Sequence, residues 1–96
     1  METALQLLGK RWTGLILFQL LMGPQRFSEI ESALPVSGRL LTERLKELEK
    51  EGIVHRQIYP EVPVRVEYSL TEKGRALEPI FKDLQNWAEN WVEVKE

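Results

Sequence analysis

The chain contains no cysteine, which excludes disulfides, thiolate metal ligation and thiol redox switching by its own residues. It has one histidine, His55, and one aspartate, Asp83. Neither belongs to a nucleophile–base pair or a metal-ligand cluster, and no glycine-rich phosphate loop is present. An enzyme is therefore not expected, and neither is a metal or other cofactor; His55 reads as a partly exposed strand residue. No apolar run approaches the ~18 residues of a membrane span, and no basic leader precedes a cleavable apolar region. The expected location is the cytoplasm, with no membrane partner. An excess of positive charge is lacking too. Thirteen Lys and Arg against fifteen Asp and Glu leave a net charge of −2. That balance argues against indiscriminate coating of nucleic acid, while leaving room for a local basic surface. What remains is 96 residues, 43% hydrophobic and 29% charged, the make-up of one ordinary globular domain over residues 1–96 with a modest core.

The segment 28–52 carries the densest pattern. Ser28 reads as an N-cap, with Glu31 completing a capping box, and Ile30, Ala33 and Leu34 form a one-sided stripe. Pro35 disfavours helical geometry before it. Ser37 then caps a longer helix whose apolar row is Leu41, the stem of Arg44, Leu45 and Leu48. Gly52 supplies the left-handed residue that ends it. Arg39, Thr42, Glu43, Lys46 and Lys50 fall on the opposite face. A short helix, a corner and a second helix with polar and basic side chains outward suggest a helix-turn-helix.

Upstream, Leu5, Leu8, Trp12, Leu15, Ile16 and Leu20 recur at helical spacing, read as a core-facing segment. Gly9 and Gly14 leave two short helices or one bent helix equally open. Gly23-Pro24 marks a turn, and Arg26-Phe27 is a candidate rung of a small strand. Downstream, 53–58 and 64–70 alternate as two strands, with Tyr59-Pro60-Glu61-Val62-Pro63 as a stiff connection. A hairpin directly after such a helix is the wing of a winged helix-turn-helix. Thr71 caps a final helix carrying Leu77, Ile80, Phe81, Leu84, Trp87, Trp91 and Val94, with a kink expected at Pro79. The late part of that stripe has no later segment to cover it. Either it folds back on Leu5, Leu8 and Trp12, or a second copy covers it in a two-fold dimer. The dimer is the expectation, with Leu5, Leu8, Trp12, Leu84, Trp87 and Trp91 at the interface. Trp12 and Trp87 are read as interface anchors in preference to the walls of a small-molecule pocket.

Several stretches resemble the HxlR family of bacterial winged helix-turn-helix transcriptional regulators, relatives of the MarR regulators. They are Ala4-Leu5 with Leu8-Gly9 and Trp12; Arg26-Phe27-Ser28-Glu29-Ile30; Leu41-Thr42-Glu43-Arg44-Leu45 with Glu47-Leu48-Glu49; and Gly52-Ile53-Val54. The run from Tyr59-Pro60-Glu61-Val62-Pro63 through Val66-Glu67-Tyr68-Ser69-Leu70-Thr71 to Gly74 is the most specific. There are departures. The cysteine common in the family just before the position of Glu2 has no counterpart, so thiol sensing does not carry over. The glycine pair before the first tryptophan is reduced to Gly9, and the corner Pro35-Val36-Ser37 is one residue short.

The resemblance implies an α+β, mostly helical winged helix-turn-helix with a two-stranded wing hairpin and N- and C-terminal dimerisation helices. Its parts are the helix-turn-helix at 28–52, the wing at 53–70 and the dimerisation helix at 71–95. The implied function is a sequence-specific regulator binding double-stranded DNA as a homodimer on a pseudo-palindromic operator. Its small-molecule effector, if it has one, is unidentified. On this reading Ser37 and the helix N-terminus hold a phosphate. Arg39 pairs with guanine or grips phosphate, Thr42 meets a thymine methyl or base edge, and Glu43 accepts from cytosine. Lys46 is a phosphate contact, Arg56 and Arg65 act from the wing, and Ser28 touches phosphate. Plainer readings stand beside these: Glu43 and Lys50 as solvated charges, Arg44 tied to a carboxylate within the domain, and Arg65 paired with Glu61 or Glu67. A winged helix used for protein–protein interaction without DNA contact is the alternative function. The outward Arg39, Thr42 and Lys46 disfavour it.

Overall fold

The computed structural model describes residues 1–93. Its elements run α1 (Glu2–Leu8), α2 (Thr13–Leu20), β1 (Gln25–Arg26), α3 (Phe27–Ala33), α4 (Gly38–Lys50), β2 (Val54–Tyr59), β3 (Arg65–Leu70), α5 (Glu72–Arg75) and α6 (Glu78–Trp91). The three strands form an antiparallel sheet in the order β1-β3-β2. The fold is mostly helical α+β, a winged helix.

The longest inner helix, α4, forms as its local signals dictate. The Ser37 hydroxyl accepts the Leu40 N–H at 3.2 Å, satisfying a donor that the first turn leaves free. At the far end Glu51 closes the last turn and Gly52 takes φ 73°. Leu41, Leu45 and Leu48 point inward against Ile16, Leu17, Leu20, Ile30 and Ile53, all of which are buried. That row is the main free-energy source of the domain, at roughly 1.5–3 kcal/mol per buried leucine or isoleucine.

The Ser28–Glu31 capping box is not formed. Arg26 is the N-cap of α3, Phe27 is its first residue, and the Glu29 carboxylate accepts the Arg26 N–H at 2.8 Å. The reason is non-local. Gln25 and Arg26 pair with Tyr68 and Glu67 of β3, so the helix starts where that rung ends. The rung itself lies one residue earlier than Arg26-Phe27. The hairpin register sets Val54 opposite Leu70, Arg56 opposite Tyr68 and Tyr59 opposite Arg65. Of the alternating residues only Val54, Tyr68 and Leu70 are buried, Val66 is half-buried, and Val64 precedes the strand and is exposed.

Two helix breaks settle the open points. The amino-terminal segment is two helices, and the break falls at Gly9–Trp12, where Trp12 adopts φ 77°. Pro79 does not kink a continuous helix. The chain makes one capped turn, α5, with the Thr71 hydroxyl accepting the Gly74 N–H at 3.2 Å, and then starts α6 afresh. Pro79 sits in the first turn of α6, where an N–H has no intrahelical partner to lose. Val94 lies outside the described residues. Among the described residues no helix is long and apolar enough to cross a membrane.

Candidate nucleic-acid interface

Helix α4 has three kinds of side chain around its circumference. Leu41, Leu45 and Leu48 are buried; Arg39, Thr42, Glu43 and Lys46 are exposed; Arg44 and Glu47 are half-buried between the two rows. The exposed four are spaced i, i+3, i+4 and i+7, which places them on one face. Ser37 leads that face at the amino end. The Thr42 hydroxyl donates to the Gly38 carbonyl at 2.8 Å, so its proton stays within the helix and its methyl is left for an outside contact. Ser28, also exposed, lies in the first turn of α3, and Arg56 is exposed on β2.

The ion pairs sort the cations into two groups. Arg44 reaches Glu47 at 2.9 Å, and Glu47 also binds Lys10. Arg65 bonds Glu67 at 2.6 Å and Glu61 at 2.9 Å, with its guanidinium 3.9 Å from the Tyr59 ring centroid. The Glu61 hydrogen bond, followed by the charges of Glu61 and Glu67, raises the Arg65 pKa above its ordinary value against a smaller opposing desolvation. Arg65 is thus a brace of the wing, compensated on both sides, and stands apart from the α4 face. Among the described residues no ion pair involves Arg39, Lys46 or Arg56.

The apolar stripe of α6 does not close on itself. Leu84, Trp87 and Trp91 are 57%, 55% and 80% exposed, and Leu5 on α1 is 60% exposed. Leu8 and Trp12 are half-buried against the core. Between α2 and α6 runs an apolar groove of about 360 Å³, lined by Gly14, Leu15, Phe18, Phe81, Leu84, Gln85 and Ala88. Leu15, read as core-facing from its spacing, is exposed, as is Phe18 beside it. The available signal was that α2 is apolar on all sides, while a helix at the edge of a small domain has only one side to bury.

The family model described as HxlR-like helix-turn-helix matches residues 7–96. The chain belongs to that family. Its relatives include two proteins of Bacillus subtilis. The HTH-type transcriptional regulator YvaP is 61% identical over 93 residues, covering 96% of this chain and 86% of YvaP. The HTH-type transcriptional regulator YodB is 54% identical over 94 residues, covering 97% and 84%. The solved reduced form of YodB superposes with a TM-score of 0.87 at 52% identity, covering 100% of this chain and 95% of that one. YodB has also been solved diamide-treated and quinone-bound. This HxlR-family chain has no cysteine. Its fold and family are those of a helix-turn-helix transcriptional regulator.

Proposed function

We propose that the protein is a homodimeric regulator that reads a pseudo-palindromic operator in double-stranded DNA by inserting α4 into the major groove. The observation that carries this is the sorting of charge on α4: a buried leucine row on one side, and on the other the exposed Arg39 and Lys46, unpaired among the described residues. The capped amino end, with free N–H groups beside Ser37, receives a phosphate. Arg39 reads guanine or grips phosphate, Thr42 offers its methyl to thymine, and Glu43 accepts from a cytosine amine. Lys46 and Arg56 neutralise phosphates, and Ser28 adds a polar contact from α3. Arg65 shapes the wing and contributes little charge to DNA. In this reading 28–52 is the helix-turn-helix, 53–70 the wing, and α6 with α1 and the exposed edge of α2 the dimer surface. Leu5, Leu8, Trp12, Leu84, Trp87 and Trp91 lie on or beside it. Two protomers then set their α4 helices about 34 Å apart along the duplex. The protein acts in the cytoplasm, where its operators are.

The test is a gel-shift titration against the DNA upstream of the protein's own gene, repeated across salt concentrations. With Arg39, Lys46 and Arg56 from each protomer, log affinity falls against log salt with a slope of about −5. Lys46→Ala lowers that slope by about 1 per contact removed, whereas Arg39→Ala weakens specific binding more than nonspecific binding. Salt-insensitive binding, or no binding to any duplex, refutes the proposal.

A further inference from the structure

Two half-buried residues of α4, Arg44 and Glu47, lie between the core row and the exposed row. Arg44 Nε donates to the Arg11 carbonyl at 3.0 Å, and its Nη1 donates to Glu47 Oε1 at 2.9 Å. The other carboxylate oxygen of Glu47 takes the Lys10 ammonium. Both partners, Lys10 and Arg11, sit in the four-residue junction Gly9–Trp12 that joins α1 to α2. One turn of the DNA-reading helix therefore holds two consecutive residues of the junction.

That junction is conformationally unusual. Trp12 has φ 77°, the only positive φ at a residue other than glycine among the described residues. Side chains with a Cβ persist in that region only where their surroundings over-determine them. Two contacts supply this here. The Trp12 side chain packs against the core with the Arg11 guanidinium 5.0 Å from its ring centroid. Arg44 holds the carbonyl of the Arg11–Trp12 peptide. Rotation about φ of Trp12 carries that carbonyl, and all of α1 before it, relative to α2 and the core. The Arg44 bond thus fixes the very torsion that aims α1.

We infer that Arg44 and Glu47 are positioning residues: by clamping Lys10 and Arg11 they fix the direction of α1 relative to α4, and with it the separation of the two α4 helices in the dimer. This rests on the dimeric operator-binding reading, in which α1 belongs to the dimer surface and α4 to the DNA surface. A rigid connection between the two surfaces turns a dimer into a caliper. A loose one leaves each α4 able to bind its half-site but not to enforce a spacing.

The experiment uses a duplex selected by the wild-type protein from a random library. It is re-synthesised with its centre lengthened or shortened by one base pair, together with a single half-site. Wild-type protein, Arg44→Met and Lys10→Met are titrated on all four duplexes. Arg44→Met keeps an apolar stem in place, and Lys10→Met alters an exposed side chain, so folded protein is secured by the second variant if the first is poor. Wild type discriminates about tenfold against each altered spacing, on the scale of a single mismatched base pair. Both variants compress that ratio to within about threefold while retaining half-site affinity. A sharp spacing preference in folded variants overturns the inference, as does a uniform loss on all four duplexes, the mark of a merely structural role. A wild type that binds no duplex overturns the functional reading on which the inference rests, and is distinguished by that wild-type lane alone.

Discussion

Gly74→Ala should destabilise the domain by about 2 kcal/mol, despite placing the best helix former in a helix. A Cβ at residue 74 would lie 2.4 Å from the Ile53 carbonyl oxygen, and 3.1 and 3.2 Å from two carbons of Leu70. Sound carbon–oxygen contacts begin at about 3.3 Å, so α5 and the start of the wing must part by nearly 1 Å. The oxygen in the way is fixed, because it accepts the Thr71 N–H at 3.0 Å and is approached by the Thr71 hydroxyl at 3.1 Å. That hydroxyl also donates to Gly52 at 2.6 Å. Overpacking of this kind costs about 1–3 kcal/mol, and loosening the Thr71 bonds adds about 1 kcal/mol. The alanine returns at most about 1 kcal/mol through helix propensity. For a domain of this size the net corresponds to a Tm lower by about 10 °C. Circular-dichroism melts of both proteins at one fixed concentration, since association makes Tm concentration-dependent, measure it. A Tm equal to or above wild type would refute the reasoning, because it would mean that α5 is not pressed against the Ile53 carbonyl.

Three further outcomes follow from the same structure. Ser37→Ala removes the acceptor of the Leu40 N–H and should cost about 1 kcal/mol in urea unfolding; no change would mean that water caps α4 equally well. The Glu47 carboxyl is held below the usual carboxylate range, chiefly by its hydrogen bond to Lys10 and, against an opposing desolvation, by Arg44. Its stabilisation is therefore present at neutral pH and fades as pH falls through that range, so wild type and Glu47→Gln should differ by less than about 1 kcal/mol at pH 7 and converge in acid; a gap that widens in acid contradicts the assignment. Trp87→Glu puts a charge on the exposed stripe of α6 and should sediment as a monomer with an unchanged circular-dichroism spectrum, whereas a persistent dimer places the interface elsewhere.

Most of the architecture was legible because its signals are local. Ser37 and Thr71 cap the helices that follow them and Gly52 ends the one before it, and all three do in the fold what their residue types allow. The leucine row of α4 needs only the helical period. Two departures from the local reading come from a contact far away in sequence. Ser28 lost its capping role because Arg26 pairs with β3, forty-one residues on at Glu67. The turn at Trp12 is held from Arg44, thirty-two residues on, through the peptide before it. A third departure is local: Pro79 was expected to kink a continuous helix and instead begins one, because α5 ends just before it. For the candidate interface, the α4 face was readable from spacing alone. The pairing of Arg65 with Glu61 or Glu67 was readable as well from their nearness in the chain, but that it takes both at once was not, since they lie on either side of it and the hairpin geometry brings both within reach.

The pairing pattern also resolves how a net-negative chain can offer a basic surface. Counting charges along the sequence gives no basic segment, because Glu47, Glu49 and Glu51 share α4 and its cap with the cations. In the fold Glu47 turns away from the exposed row toward Lys10 and Arg44, and Glu61 and Glu67 enclose Arg65. These acids pair with Lys10, Arg44 and Arg65, while Arg39, Lys46 and Arg56 form no ion pair among the described residues. Local field, and not net charge, governs the approach of a polyanion within a Debye length of about 8 Å at physiological ionic strength. Deleting a carboxylate here would therefore not simply make the protein a better DNA binder. Removing Glu47 releases two cations but also removes the Lys10 fastening between α4 and the α1–α2 junction and leaves only the Arg44 bond to the Arg11 carbonyl. Affinity for an isolated half-site and fidelity to a two-site operator should therefore move in opposite directions.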